Sequence, residues 1–193
     1  MIKAILFDAD GMIVTGERFS NRLAREYGIT LEKTDDFFKK EWSDCILGKT
    51  DLKTVLAPYL SEWGWQGTLD ELLDFWFDEK YNVVDTRFRE IIKKLQSKGF
   101  KCYLATNNEK YRTDSLVKNK EMGSWFDGVF SSAYMGVKKP DPTFFQKILD
   151  GIDLKKEEVI FWDDDPENIE GAEHFGLATE LYTDFDSFKE KTA

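Results

Sequence analysis

The sequence predicts an α/β fold, a three-layer core built on a parallel sheet with an α-helical cap domain inserted into it. Three observations carry this. Five short β-rich runs, Ile2–Phe7, Lys101–Ala105, Val129–Ser131, Val159–Trp162 and Thr179–Tyr182, alternate with helical segments, the order that places helices on both faces of a parallel sheet. Roughly 90 residues separate the first run from the second, far more than a single crossover helix requires. That surplus carries helical patterning and stop signals of its own. Residues 1–14 and 85–193 are therefore expected to form the core, and residues 15–84 the helical cap.

The elements follow in order. Ile2–Phe7 is broken only by Lys3 and ends at Asp8. In the insert, Phe19–Tyr27 is closed by Gly28, Lys33–Leu47 by Gly48, and Leu52–Trp63 by Gly64, and Leu69–Tyr81 completes the set. A glycine just past the last periodic residue is the usual helix stop. Phe37, Phe38, Trp42, Trp63, Trp65, Phe75, Trp76 and Phe77 are expected to be the cap's own core, with one or two facing the cleft. Gly48-Lys49-Thr50 is best taken as a plain turn. Beyond the insert, Thr86–Lys98 lies between Asp85 and Gly99, and Glu109–Met122 ends at Gly123. Pro142–Asp150 and Pro166–Phe175 both open with Asp-Pro, a capping residue followed by proline at the first helical position, and stop at Gly151 and Gly176.

Composition narrows the function classes. The chain has 193 residues, 41% hydrophobic, with 16 Phe and 6 Trp, enough for a real core. A net charge of −10 repels nucleic-acid backbones and anionic membranes, so neither is an expected partner. It also repels a phosphorylated substrate, which would need cations supplied locally. Two cysteines, Cys45 and Cys102, are too few for a disulfide framework or a zinc site. The N-terminal apolar run is too short for a signal peptide, and no stretch approaches the ~20 residues of a membrane span. A soluble cytoplasmic protein, monomeric or homodimeric, is expected.

Four patches carry candidate chemistry. Asp8 and Asp10 stand two apart at the carboxyl end of the first strand, so both side chains point the same way, and Gly11 lets the chain turn. Ligands of open α/β sheets bind at that end. One carboxylate can attack phosphorus while the other protonates the leaving oxygen and later deprotonates water; on this pattern alone, two turn aspartates capping amides is the more ordinary reading. Thr106 and Asn107 end the second strand, where a hydroxyl and the following amide can hold a phosphoryl oxygen. Lys139 precedes Pro140-Asp141-Pro142, a rigid loop into a capped helix, and can neutralise the phosphate and Asp8 together. Lys138 is expected to be solvated. Of the three acids after Val159–Trp162, Asp165 is assigned to the helix cap, leaving Asp163 and Asp164 for a hard cation such as Mg²⁺. His174, the one histidine, lies far from any nucleophile, which removes Ser-His and Cys-His chemistry.

Together the patches Phe7-Asp8-Ala9-Asp10-Gly11, Leu104-Ala105-Thr106-Asn107, Lys138-Lys139-Pro140-Asp141-Pro142 and Phe161-Trp162-Asp163-Asp164-Asp165-Pro166-Glu167-Asn168 resemble those of the haloacid dehalogenase-like hydrolase superfamily, and the insertion point resembles its helical-cap subgroup. The resemblance implies a Rossmann-like core, with Asp8 as a nucleophile forming an aspartyl-phosphate and Asp10 as general acid/base. It implies phosphate binding by Thr106, Asn107 and Lys139. It also implies Mg²⁺ held by Asp164, Asp163, Asp8 and the backbone carbonyl of Asp10. Met12 stands where smaller or β-branched residues are commoner, and Asn168 where a further acid can occur. The expected function is a Mg²⁺-dependent phosphohydrolase acting on a small phosphorylated metabolite, such as a sugar phosphate or nucleotide-like monoester. A phosphomutase of the β-phosphoglucomutase type shares every motif, and a catalytically silent binding protein on the same fold is a further alternative. A metal-free dehalogenase is disfavoured by Asp10, a position where such members usually lack a carboxylate.

Overall fold

Ala4–Phe7 (β1) is buried along its whole length, as a four-residue apolar run becomes when a sheet is covered on both faces. The structure, a computed structural model that describes residues 1–119 and 121–192, continues into Val14–Gly16 (β2). Five helices follow: Phe19–Tyr27 (α1), Leu31–Lys40 (α2), Trp42–Ile46 (α3), Leu52–Trp63 (α4) and Leu69–Phe77 (α5). The chain returns through Asn82–Val84 (β3), Arg87–Ser97 (α6), Lys101–Thr106 (β4) and Lys110–Asp114 (α7). It then runs through Gly128–Ser131 (β5), Ser132–Met135 (α8), Pro142–Ile152 (α9) and Val159–Asp163 (β6). Pro166–Phe175 (α10), Ala178–Leu181 (β7) and Phe185–Thr192 (α11) complete it.

Five strands form one parallel sheet in the order β5-β4-β1-β6-β7. Side-chain alternation sets the layers. Ile5, Phe7, Cys102, Leu104 and Trp162 pack on one face against Phe88, Ile92 and Leu95 of α6 and Phe188 of α11. Ala4, Leu6, Ala105, Val159 and Phe161 pack on the other against Phe144, Phe145 and Ile148 of α9 and Ala172 of α10. Because every strand runs the same way, Asp8, Thr106 and Asp163 arrive together at one edge.

The helices between β2 and β3 hold a third apolar cluster, with Phe19, Phe37, Leu56, Trp63, Leu72 and Trp76 at its centre. Phe19 and Trp76 stack with ring centroids 4.0 Å apart. The β2–β3 pair is antiparallel and forms the two covalent connections of this insert. A second attachment is polar: Ser132 donates to the Ile46 carbonyl at 2.8 Å, and the Tyr111 hydroxyl to Asp51 at 2.8 Å.

Several elements differ from the sequence expectation. The expected helix Lys33–Leu47 is two helices, α2 and α3, meeting at Glu41. Leu69–Tyr81 stops at Phe77 because Asp78 leaves the helical region, with ψ 131°. In place of one helix over Glu109–Met122 there is α7, a π-helical turn Ser115–Asn119 and a 3₁₀ turn Met122–Trp125. Residue 120 of that expected helix lies outside the described residues. Strands β2 and β3 and helices α8 and α11 were not expected.

At one point the fold presses directly on the site loop. A Cβ added at Gly171 in α10 would lie 2.8 Å from the carbonyl oxygen of Pro140. Gly171→Ala gains about 1 kcal/mol of helix propensity, but the overpacking cost of about 1–3 kcal/mol falls on backbone that cannot rotate away. Urea unfolding is expected to show net destabilisation; a stabilised variant would mean that α10 does not fix the loop carrying Lys139.

Candidate active site

The Lys139 side chain is 1% exposed, and its ammonium lies 2.6 Å from both Asp8 Oδ1 and Asp163 Oδ2. Three segments far apart in sequence set this geometry. Asp8 follows the central strand, its amide bonded to the Trp162 carbonyl at 2.9 Å. Asp163 ends β6, and its carboxylate also accepts from the Asp165 amide at 2.8 Å and from Asn168 Nδ2 at 3.1 Å. Lys139 is held by Asn107, whose amide side chain bonds both the Lys139 amide, at 2.9 Å, and its carbonyl, at 3.0 Å. The loop then enters α9 through Asp141, whose carboxylate caps the Thr143 amide at 2.7 Å.

Asp10 lines a cavity beside this cluster, with 45% of its side chain exposed. It accepts from Arg112 Nη2 at 2.7 Å and from Asn108 Nδ2 at 2.8 Å. Asn108 also donates to the Thr106 hydroxyl at 2.6 Å, so the ends of β1 and β4 are joined by a short hydrogen-bonded chain. Gly11 has φ 92°, and the Asp164 carboxylate occupies the space that a Cβ there would take. Glycine is thus needed twice over, for the turn and for the close approach.

Charge completes the picture. Asp8, Asp163 and Asp164 each offer a carboxylate oxygen within 4.8 Å of the others, and Lys139 is the cation among them. When all three carboxylates are ionised, they and the one ammonium leave a net charge of −2, which one dication cancels. The donors are all hard oxygens, the set Mg²⁺ prefers, and octahedral coordination at about 2.0–2.1 Å is about 4 Å across. The residues therefore fit a magnesium ion.

The titration shifts follow from the same geometry. Burial pushes the Asp8 carboxyl up to about 7, opposed by Lys139 and reinforced by Asp163. Burial works against the Lys139 ammonium, but Asp8 and Asp163 outweigh it and hold its pKa above the usual lysine value. Asp164 is raised, first by burial and then by Asp163.

Of the residues singled out from the sequence, Asp8, Lys139, Asp163 and Asp164 come together, and Asp10 and Thr106 flank them. The Asn107 side chain is engaged with the Lys139 backbone, so its amide group is a brace, and only its backbone remains for a ligand. Asp163 is fully buried, with both oxygens engaged, rather than facing the crevice. His174 and Lys138 lie outside the cluster. Sequence reasoning missed Asn108, Arg112 and the bracing role of Asn168. Asn108 adjoins the Thr106-Asn107 patch, whereas nothing local marks Arg112, which meets Asp10 across 102 positions.

The match to known proteins is broad. A model of the haloacid dehalogenase-like hydrolase family matches residues 2–176. A sesquiterpene phosphatase of Aspergillus oryzae is 33% identical over 100 residues, 52% of this chain and 51% of its own. The chain thus spans about half the length of that relative. A Mycobacterium tuberculosis phosphatase is 27% identical over 194 residues, 93% of this chain and 87% of its own. In structure, a HAD family enzyme from Bacteroides thetaiotaomicron superposes with a TM-score of 0.86 at 18% identity, covering 100% of this chain and 98% of that one. That enzyme has been crystallised with magnesium and inorganic phosphate.

Two outcomes are expected from the buried cluster. Lys139→Met strands two buried carboxylates, and urea unfolding at pH 8 is expected to show a loss of about 3–5 kcal/mol; a loss under 1 kcal/mol would mean the pairing is not buried. Native Asp8 keeps its proton to about pH 7, whereas an unfolded aspartate releases it near 3.9. The native state then binds more protons in that window, so its stability falls as pH rises from about 4 to 7. Stability measured as wild type minus Asp8→Asn, which removes the general charge effect, should show this fall without Mg²⁺ and much less of it at saturating Mg²⁺. A difference that is flat in both conditions contradicts the assignment.

Proposed function

We propose that this chain, which belongs to the haloacid dehalogenase-like hydrolase family, is a Mg²⁺-dependent phosphohydrolase that cleaves a small phosphorylated metabolite through an aspartyl-phosphate on Asp8. The observation that carries the reading is the position of Asp8, 2.6 Å from the Lys139 ammonium and grouped with Asp164, while Asp10 opens on a cavity. An anionic nucleophile must strike an anionic ester, and in a chain of net charge −10 that is feasible only where cations are fixed in place. Catalysis of phosphoryl transfer is mostly positioning and charge stabilisation.

The placement supports the following roles. Asp8 Oδ1 is tied to Lys139, leaving Oδ2 to attack phosphorus as the bond to the leaving oxygen breaks. Asp10 gives its proton to that oxygen. In the second step Asp10 takes a proton from water, the water oxygen attacks phosphorus, and the bond to Asp8 breaks, restoring the Asp8 carboxylate and the proton on Asp10. The Thr106 hydroxyl, the backbone amide of Asn107 and the Lys139 ammonium hold the phosphoryl oxygens. Asp8, Asp164 and the carbonyl of Asp10 would hold Mg²⁺, with Asp163 beside them. When bound, the ion supplies positive charge to the phosphoryl group and completes the neutralisation begun by Lys139. Residues 15–84 act as the cap that limits bulk water over the site.

The phosphatase named among the relatives over nearly the whole chain, and the magnesium and phosphate held by the structural neighbour, support this reading. The Asp10 carboxylate favours it over metal-free dehalogenation, which has no leaving oxygen to protonate.

Phosphate release from a panel of phosphorylated metabolites tests it. Wild type with Mg²⁺ is expected to turn over some member and to lose turnover in chelator. Asp8→Asn should fall to background, and Asp10→Asn should lower kcat by about 10²–10⁴-fold. Near-wild-type release by Asp8→Asn would overturn the proposal.

A further inference from the structure

The cavity on which Asp10 opens has a volume of about 440 Å³, with Trp42, Trp76, Phe77, Arg22 and Arg112 in its walls. Two of these groups are cations taken out of water. Arg112, its side chain 8% exposed, gives Nη2 to Asp10, but its Nη1 is buried and has no hydrogen-bond partner among the described residues. Arg22 is 1% exposed and spends both Nη atoms on the carbonyls of Phe75 and Trp76, at 3.1 and 2.8 Å, near the end of α5. That explains Arg22 as a brace for the insert. It also leaves Arg22 without a carboxylate partner among the described residues, and its Nε is unpartnered there as well.

A buried guanidinium nitrogen with nothing to donate to is costly, and native structures rarely keep one without a reason. Among the described residues no group of the wall accepts from Arg112 Nη1. Trp42 and Trp76 can only donate from their side chains, and Phe77 offers a ring alone. A group that enters the cavity can supply the missing acceptor. Charge says what kind. The lining holds three arginines, Arg18, Arg22 and Arg112, against two carboxylates, Asp10 and Glu17, and Glu17 is already paired with Arg25. This is a locally positive wall in a molecule of net charge −10, and such focusing draws anions.

Location ties the wall to the reaction. If Asp10 protonates the leaving oxygen, the atoms next to that oxygen pass Arg112, which touches Asp10 at 2.7 Å. We propose that Arg112 Nη1 anchors an anionic group carried by the leaving group close to the ester oxygen, so that the preferred substrates are small phosphomonoesters bearing a second negative charge, a carboxylate or another phosphoryl group. This rests on the phosphohydrolase reading above and narrows its substrate class. Arg112 is then a specificity-determining residue, and its bond to Asp10 places the anchored end beside the acid.

The test compares three esters built on one two-carbon frame with the full chain and Mg²⁺: 2-phosphoglycolate, 1,2-ethanediol bisphosphate and neutral-ended 2-hydroxyethyl phosphate. Wild type is expected to show kcat/KM about 10- to 100-fold higher for one or both anionic esters than for the neutral one, the range of a charged hydrogen bond. Which anionic ester leads identifies the group. Because Arg112 also touches Asp10, the readout is the ratio between esters, which a general loss of acid positioning leaves unchanged. Arg112→Gln should bring the ratio to near one, and Arg112→Lys should retain part of it. A wild-type ratio near one, or a ratio that survives in Arg112→Gln, overturns the inference while the hydrolase stands. No phosphate release by wild type from these three or from the wider panel overturns the hydrolase reading itself and the inference with it.

Discussion

One buried ammonium organises the edge of the sheet where Asp8 and Asp163 meet. Lys139 Nζ sits 2.6 Å from each of two carboxylates that end neighbouring strands, and all three side chains are shielded from water. Such a cluster costs desolvation energy and stays only where geometry and hydrogen bonds compensate. The surroundings provide that. Asn107 grips both backbone groups of Lys139, Asn168 and the Asp165 amide complete Asp163, and Asp141 pins the following helix. The parallel sheet is the deeper requirement, since only strands running the same way bring Asp8, Thr106 and Asp163 to one edge.

The same electrostatic constraint links the parts of the site that look separate. The cluster around Lys139 carries a negative excess suited to a dication, whereas the cavity beyond Asp10 carries a positive excess suited to an anion. Asp10 stands at the boundary, bonded to Arg112 and Asn108 on the cavity side. A phosphomonoester laid across that boundary would place its phosphoryl group against Asp8 and its leaving group against Arg112. The net charge of −10 makes both local arrangements necessary, because the rest of the surface repels such a substrate.

Much of this was legible in the sequence, for identifiable reasons. Largely apolar runs that end abruptly in Asp8, Thr106 or Asp163 mark strand ends, and the Asp-Pro and Gly signals around Pro142 and Pro166 mark helices by local chemistry alone. What escaped depended on distant partners. Strands β2 and β3 are three residues each and exist through pairing across the whole insert. The long helix expected from Glu109 breaks into short turns that bring Met122 and Trp125 into the core under the sheet, a tertiary gain that local periodicity does not reveal. Arg112 reads as one more helical cation until the fold brings it to Asp10. Asn107 had the right neighbourhood, but its side chain braces the lysine loop.

In the proposed reaction an Asp8 carboxylate oxygen is the nucleophile that accepts the phosphoryl group. The most direct measurement is acid-quenched peptide mass spectrometry of the Asp10→Asn chain after incubation with acetyl phosphate and Mg²⁺. Acetyl phosphate needs little help in leaving, while release of the product needs the missing base, so the covalent state should accumulate. A phosphoryl group on the peptide that contains Asp8, absent in chelator and absent when Asp8 is also changed to Asn, is the predicted result. Phosphoryl label on a different residue would contradict the account, as would a wild-type chain that releases phosphate while this variant never carries label at Asp8.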